Sequence, residues 1–355
     1  MSYPRLLIDL EKIKYNAKTV QEWCKGVGIK PFFVGKCVCE DEKIVESIIK
    51  CGYTAIADSR EENLQRIKVD ANKVLLRIGM PDRADEIVKV CDISLQSEPK
   101  TIAALAKAAQ KSEKKHKIIL MIDLGDLREG IFYKDFEEII KTAKLIKNSE
   151  GLILYGIGTN LTCYGSVMPD ENNLGWLAGI AKRLREDLNE EIPVISGGNS
   201  SSLYLIKNGK MPKEINNLRI GEAILLGTDT ASGNKFCELK DDAFVLEAEV
   251  VEIRDKPSYP IGVRSVDAFG NKVEYVDRGY MRRGILAIGK QDVFPNDLIP
   301  LDPSLEIIGA SSDHTIINLS GTDTQVGDII RFKLNYEGLL KCCTSMYVGK
   351  SYINE

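Results

Sequence analysis

The strongest constraint on how this chain can fold is an alternation that runs through its first 230 residues. Short apolar runs are separated by longer stretches whose apolar residues recur with a helical period. The runs are PFFVG (31–35), TAIAD (54–58), KVLLRIG (73–79), DISLQ (92–96), KIILMIDLG (117–125), LILYGIG (152–158), PVISGG (193–198) and LRIGEAILLG (218–227). Between them lie amphipathic stretches such as DEKIVESIIKCG and YKDFEEIIKTAKLIKN. Strands apolar on both faces and joined by helical crossovers belong to a parallel sheet covered by helices. Eight of them, each followed by a helix, predict a (β/α)8 TIM barrel within the α/β class. A doubly wound sheet would carry a glycine fingerprint at its first turn, and VGKCVCED stands there instead.

After TDTASGNK (228–235) the period changes. AFVLEAEVVEIRD, NKVEYVDRG, RGILAIG, LEIIGASSD, HTIINLS, DIIRFKLNY and SMYVGKSYI read as strands, separated by turns with Gly, Asp or Pro, and no long helical period appears. The chain is therefore expected to be a barrel over 10–230 followed by a C-terminal all-β domain over 236–355.

Composition narrows the function. With 48 basic and 52 acidic residues the net charge is −4, which lacks the basic footprint of a nucleic-acid binder. No apolar run reaches the roughly 20 residues of a membrane span, and MSYPRLLIDLEKIK lacks the pattern of a secretory signal. Nine cysteines, an odd number, are expected to be free thiols, and the expected location is the cytoplasm. The only two histidines, His116 and His314, lie in dissimilar segments, so no catalytic metal is expected. Histidine is the usual acid–base carrier at neutral pH, so the chemistry is expected to rest on another base or on a cofactor.

In a barrel, function collects where strands pass into their βα loops. Strand one ends in Lys36, where a partly desolvated lysine can form a Schiff base and an ordinary solvated lysine is the plain alternative. Strand five leads into IDLGDLREG, with Asp123 and Arg128, and strand six into GIGTNLTCYG, with Thr159 and Asn160. SGGNSSSL (196–203) combines glycines, hydroxyls and a helix start, which suits a phosphate or a capped Gly-Ser turn. Arg219 alternates with buried apolar residues in strand eight and needs a partner, for which Glu222 is one candidate. A lysine, a phosphate loop and a buried arginine together suggest pyridoxal 5′-phosphate, an aldehyde that condenses with lysine.

In their shared order VGKCVCED, ADSREENL, SGGNSSSL, LRIGEAILLG, DAFGN, LAIGKQD, ASSDHTI and NYEGLLKCCTSMYV resemble the alanine racemase type (fold type III) of pyridoxal-phosphate enzymes over nearly the whole chain. PRLLIDLEKIKYN is similar to that family's opening, whose first strand joins the C-terminal domain, so residues 1–9 are expected with 236–355. By this resemblance Lys36 holds the cofactor and protonates one face of Cα. Arg128 lies near O3′ and the substrate carboxylate, and Arg219 faces the pyridine nitrogen. Asn199, Ser200, the neighbouring Ser201, the backbone of Gly221 and Tyr352 hold the phosphate.

Three positions depart from the family pattern. Glu40 stands where a phosphate-binding tyrosine follows the lysine by four residues. Asn160 replaces a histidine that stacks on the pyridine. Lys290 aligns with the tyrosine that serves the opposite face of Cα from the partner subunit. Cys343, His314 and Tyr259 are other candidate second acids. The branch most similar to this chain interconverts L- and D-ornithine in a head-to-tail homodimer. Asp313, with Ser312, is the leading candidate for substrate binding at the distal ammonium, beside Asp292 and Asp267. A racemase for alanine or another amino acid, or a decarboxylase of the same fold type using Cys342 or Cys343, is the alternative.

Overall fold

The computed structural model of the protein describes residues 3–267 and 269–354, so Ala268 of the DAFGN block lies outside the described residues. The chain divides into two units, Lys12–Asp241, and Met1–Glu11 with Asp242–Glu355.

Strand β1 is Arg5–Asp9 and belongs to the second of these units. Eight parallel strands then build the first: β2 (Lys30–Val34), β3 (Ala55–Asp58), β4 (Asn72–Leu75), β5 (Ile93–Gln96), β6 (His116–Asp123), β7 (Leu152–Gly158), β8 (Val194–Ser196) and β9 (Asn217–Ile220). They run β5-β4-β3-β2-β9-β8-β7-β6, and pairing of β5 with β6 closes the ring. Successive side chains of a strand point to opposite faces. Accordingly Phe32 and Val34 of β2, Ala55 and Ala57 of β3, Leu95 of β5 and Met121 of β6 pack in one cluster. Phe33 and Ile56, one residue out of phase, are fully buried on the other face. Burial on both faces is what made these runs continuously apolar.

The intervening helices start where the sequence supplies a cap. Asp41 accepts the Ile44 N–H, and Asp170 and Asn173 form a reciprocal capping box at Glu171–Leu188. One apolar run behaves differently from its expected form. LRIGEAILLG is strand only through Ile220, and Glu222–Leu226 is a short helix after Gly221. A short fully apolar run carries no period, so it cannot separate strand from buried helix.

The second unit is a mostly antiparallel sheet. Its strands run in the order Leu298–Pro300, Ile329–Leu334, Phe244–Pro257, Tyr280–Leu286, Thr315–Asn318 and Glu306–Ala310. β1 pairs antiparallel with the start of Phe244–Pro257 and parallel with the last strand, Gly349–Ile353. NKVEYVDRG forms no strand, and its residues are exposed. The expected all-β unit also contains a helix, Tyr336–Thr344, capped by Asn335 accepting the Gly338 N–H at 2.8 Å. Among the described residues no helix is long and apolar enough to cross a membrane, and no group of His, Cys, Asp or Glu could hold a metal.

Glu247, 1% exposed, stitches three strands. It accepts from Arg5 Nε of β1 at 2.6 Å and from Arg331 Nε at 2.9 Å, and both arginines stand directly opposite it in the register. Hydrogen bonds to charged groups contribute about 1.5–3 kcal/mol each, reduced here because both arginines reach solvent. Glu247→Ala is expected to lower stability by about 2–3 kcal/mol in urea unfolding. An unchanged midpoint would remove this carboxylate from the structural account.

Candidate active site

The mouth of the barrel is organised around a buried cation. Arg219, on β9, is 3% exposed. Its Nη1 donates to Ser196 Oγ at 2.5 Å, and its Nη2 donates to the Thr159 carbonyl and to Asn160 Oδ1, the latter at 2.6 Å. Among the described residues Nε has no partner. Ser196 in turn donates to Asn217 Oδ1 at 2.5 Å, and Asn217 Nδ2 to the Lys30 carbonyl at 2.7 Å. Burial pushes Arg219 down to about 10, against the raising pull of the Glu129 carboxylate. It therefore stays charged at neutral pH. Glu222, its candidate partner, does not pair with it; the anion that acts on Arg219 is Glu129.

Glu129 went unnoticed in the sequence. It accepts from Arg128 Nε and Nη2, the latter at 2.7 Å, and from Asn160 Nδ2. Burial alone would raise its carboxyl, but these bonds and the charges of Arg128 and Arg219 outweigh it and hold it below the ordinary range. Arg128 itself is pushed above its ordinary value, chiefly by its bond to Glu129. Asn160 thus spends its amide on a polar bridge between two loops. Asp126, 1% exposed, holds those loops together by accepting the N–H groups of Cys163, Tyr164 and Val167. Asp123 accepts the N–H groups of Gly125 and Leu127 and shapes the turn. The only available sequence signal for Glu129 was an acid directly after an arginine in a strand-end loop.

Facing this network are the lysine and the serine loop. Lys36 opens a short 3-10 turn after β2 and is exposed, so the expected desolvation is not a property of this chain on its own. The turn closes through Cys39 and Glu40, both left-handed with φ of 54° and 50°. Asn199 accepts the Ser201 N–H at 2.8 Å and donates to the Leu161 carbonyl at 2.9 Å. Ser200 Oγ accepts from the N–H groups of Gly221 and Ala223 at 3.4 Å each, which ties the serine loop to the start of the last helix. Ser201 Oγ is buried without a partner. A Cβ on Gly221 would lie 2.5 Å from the Val34 carbonyl, so glycine lets the β9 exit press against β2 just before Lys36.

Three carboxyl groups lie near Lys36. Burial raises Asp58 and Glu222, and the lysine's charge opposes both shifts; Glu222 reaches about 7. Glu40, 3% exposed, is pushed well above its ordinary value by burial and then by the Asp58 charge, against a weak pull from the Gly35 N–H.

The candidates from the second unit separate by environment. Lys290 Nζ lies 3.5 Å from Asp267 Oδ2 and 4.3 Å from the Phe269 ring centroid. Asp267 also accepts the N–H groups of Phe269 and Asn271. Asp292 is buried and accepts from Ser345 Oγ at 2.6 Å, so it is already occupied. Asp313 is exposed beside Ser311, Ser312 and His314. Tyr259 is an exposed ring under Arg264, and Tyr352 lies on the last strand opposite Ile8. Cys342 is buried, which raises its thiol above the ordinary value and makes it inert. Cys343 is half-buried in the same helix.

Comparison with known proteins now bears on this geometry. The family described as alanine racemase, N-terminal domain, matches residues 8–229. The chain belongs to the alanine racemase family. It is 46% identical to an ornithine racemase of Acetoanaerobium sticklandii, over 99% of this chain and 100% of that one. It is 39% identical to a lysine racemase of Thermotoga maritima, over 99% of each. Among solved structures it shares its fold with alanine racemase from Streptomyces lavendulae, at TM-score 0.77 and 14% identity over 100% of this chain and 98% of that one. It also shares it with the Bartonella henselae enzyme, which carries covalently bound pyridoxal phosphate, at TM-score 0.75 and 18% identity over 99% of this chain and 100% of that one. Family membership makes the chain an amino-acid racemase, an isomerase.

The raised Glu222 carries a pH signature. A carboxyl whose folded value lies above its unfolded one favours folding fully below the unfolded value and loses that contribution as pH rises through the folded value. For Glu222 the loss therefore runs from about pH 4 to about 7. Between pH 5 and 8 the protein is expected to lose more stability than Glu222→Gln does, measured by denaturation at each pH. Parallel pH profiles would contradict the shift.

Proposed function

We propose that the chain is a pyridoxal-phosphate-dependent racemase that interconverts L- and D-ornithine. The observation that carries the reading is the buried, charged Arg219 with its unbonded Nε, at the same barrel mouth as Lys36 and the serine loop. The residues fit such a cofactor. Among the described residues Ser201 Oγ is a buried hydroxyl without a partner, and Ser200, Asn199 and the Gly221 N–H stand near it as phosphate ligands. Nε of Arg219 would face the pyridine nitrogen, and Lys36 would hold the cofactor covalently. The cofactor supplies an electron sink for the charge left on Cα when its proton departs.

The chain's own groups do the rest. Arg128 receives the α-carboxylate with its exposed guanidinium. Lys36 moves a proton at one face of Cα. Lys290 of a second copy serves the opposite face, its Nζ anchored by Asp267 and Phe269, in a head-to-tail homodimer. Asp313, with Ser312, takes the distal ammonium; its carboxyl, held below the ordinary range by bonds from Ser312 and Ser311, is charged at neutral pH. The 46% identity to an ornithine racemase supports this substrate over lysine, and the buried Cys342 leaves the decarboxylase alternative to rest on Cys343.

With cofactor, L-ornithine is expected to yield D-ornithine without loss of CO2, followed by chiral chromatography beside lysine and alanine. Lys36→Ala is expected to lose at least about 10²–10⁴ of the rate. It should also lose the borohydride-fixed cofactor adduct on the peptide that contains residue 36, read by mass spectrometry. Retained turnover in that variant would overturn the mechanism. Sedimentation is expected to show a dimer, and full activity in a monomer would remove the partner's Lys290 from the site.

A further inference from the structure

The loop after β6 carries a carboxylate to which the racemase reading gives no role of its own. Glu129 Oε2 accepts from Arg128 Nε, while Oε1 accepts from Arg128 Nη2 at 2.7 Å and from Asn160 Nδ2. A guanidinium can grip a planar anion with either of two edges, the side edge of Nε and Nη2 or the end edge of Nη1 and Nη2. Glu129 fills the side edge. No other residue bonds Arg128 among the described residues, and its side chain is 42% exposed, so the end edge stays open.

The same carboxylate settles the Asn160 amide. Asn160 lies between Glu129, which only accepts, and Arg219, which only donates, so Nδ2 must face the first and Oδ1 the second. We propose that Glu129 is a positioning residue that sets both arginines of the site, holding Arg128 by its side edge so that its end edge meets the substrate carboxylate, and fixing Asn160 so that its carbonyl anchors Arg219. The role of the end edge rests on the racemase reading; the grip on Arg128 and Asn160 does not.

Glutamine in place of Glu129 has a single acceptor oxygen and cannot serve Arg128 Nε, Arg128 Nη2 and Asn160 Nδ2 together. Glu129→Asp keeps both oxygens on a shorter arm. The test uses cofactor-loaded wild type, E129Q and E129D, with two readouts.

The first readout is labelling of Arg128 by phenylglyoxal, followed by peptide mass spectrometry. The reagent attacks neutral guanidine, which a bonded carboxylate disfavours. Arg128 is expected to react several-fold faster in E129Q, with E129D in between. In wild type, 5-aminopentanoate (ornithine without its α-amino group) should slow the labelling, and 1,4-diaminobutane (ornithine without its carboxylate) should not. The second readout is kinetic. E129Q is expected to lose about 10- to 100-fold in kcat with KM changed less than about threefold, because geometry is lost while the cation remains. E129D should recover part of kcat.

Equal Arg128 labelling in wild type and E129Q, or unchanged kcat in E129Q, overturns the proposal. Wild type that fails to racemise ornithine while the labelling behaves as expected overturns the racemase reading and leaves the grip on Arg128 supported.

Discussion

A guanidinium enclosed by a barrel is the constraint to which the site answers. Leaving such a charge unpaired in a low-dielectric interior costs several kcal/mol, and a direct salt bridge would be one solution. This fold uses another. Arg219 is held by a hydroxyl, a backbone carbonyl and an amide oxygen, and its balancing carboxylate stands one amide away. Because Ser196 and Asn217 continue the chain of bonds to the Lys30 carbonyl, the exits of β7, β8 and β9 are tied to the entry of β2. Fully bonded polar networks of this kind are rigid, and half-bonded ones are costly. The arrangement keeps Nε, the one unbonded nitrogen of Arg219, in a fixed place.

The opposite side of the mouth has the reverse problem. Glu40 is a buried acid pushed well above its ordinary value, and Glu222 is raised to about 7. Both lie in the loops that would take a phosphate, where two ionised carboxylates would repel the ligand. Burial favours the protonated form of both, Glu40 the more strongly, which lowers that repulsion without removing the side chains.

Much of the barrel was legible because its strands are buried on both faces, which writes continuous apolar runs that end at functional positions. Lys36, Asn199, Ser200 and Arg219 could be picked out by standing at those ends. What the sequence could not supply was partner choice. Glu222 is three residues from Arg219 in the chain, yet the carboxylate that acts on it is Glu129, ninety residues away, because two βα loops converge through Asp126. NKVEYVDRG had strand-like alternation but is not a strand, because a ladder depends on pairing that alternation alone does not specify. The helix Tyr336–Thr344 has the same nine residues as Glu42–Lys50 but lies among strand-like runs, and its start at Asn335 was the local signal.

The topology of the second unit sets an order on synthesis. β1 finds its antiparallel partner 242 residues downstream and its parallel partner at Gly349–Ile353. A ribosome adding about 5–20 residues per second needs on the order of ten seconds or more to deliver those strands. The whole barrel sequence, 12–241, is made within that interval, while Arg5–Asp9 waits with its backbone edges open. The chain thus completes its smaller unit last, from its two extremes inward, and a nascent chain stalled before residue 244 would expose β1 as an unpaired edge to any neighbouring chain on the same message.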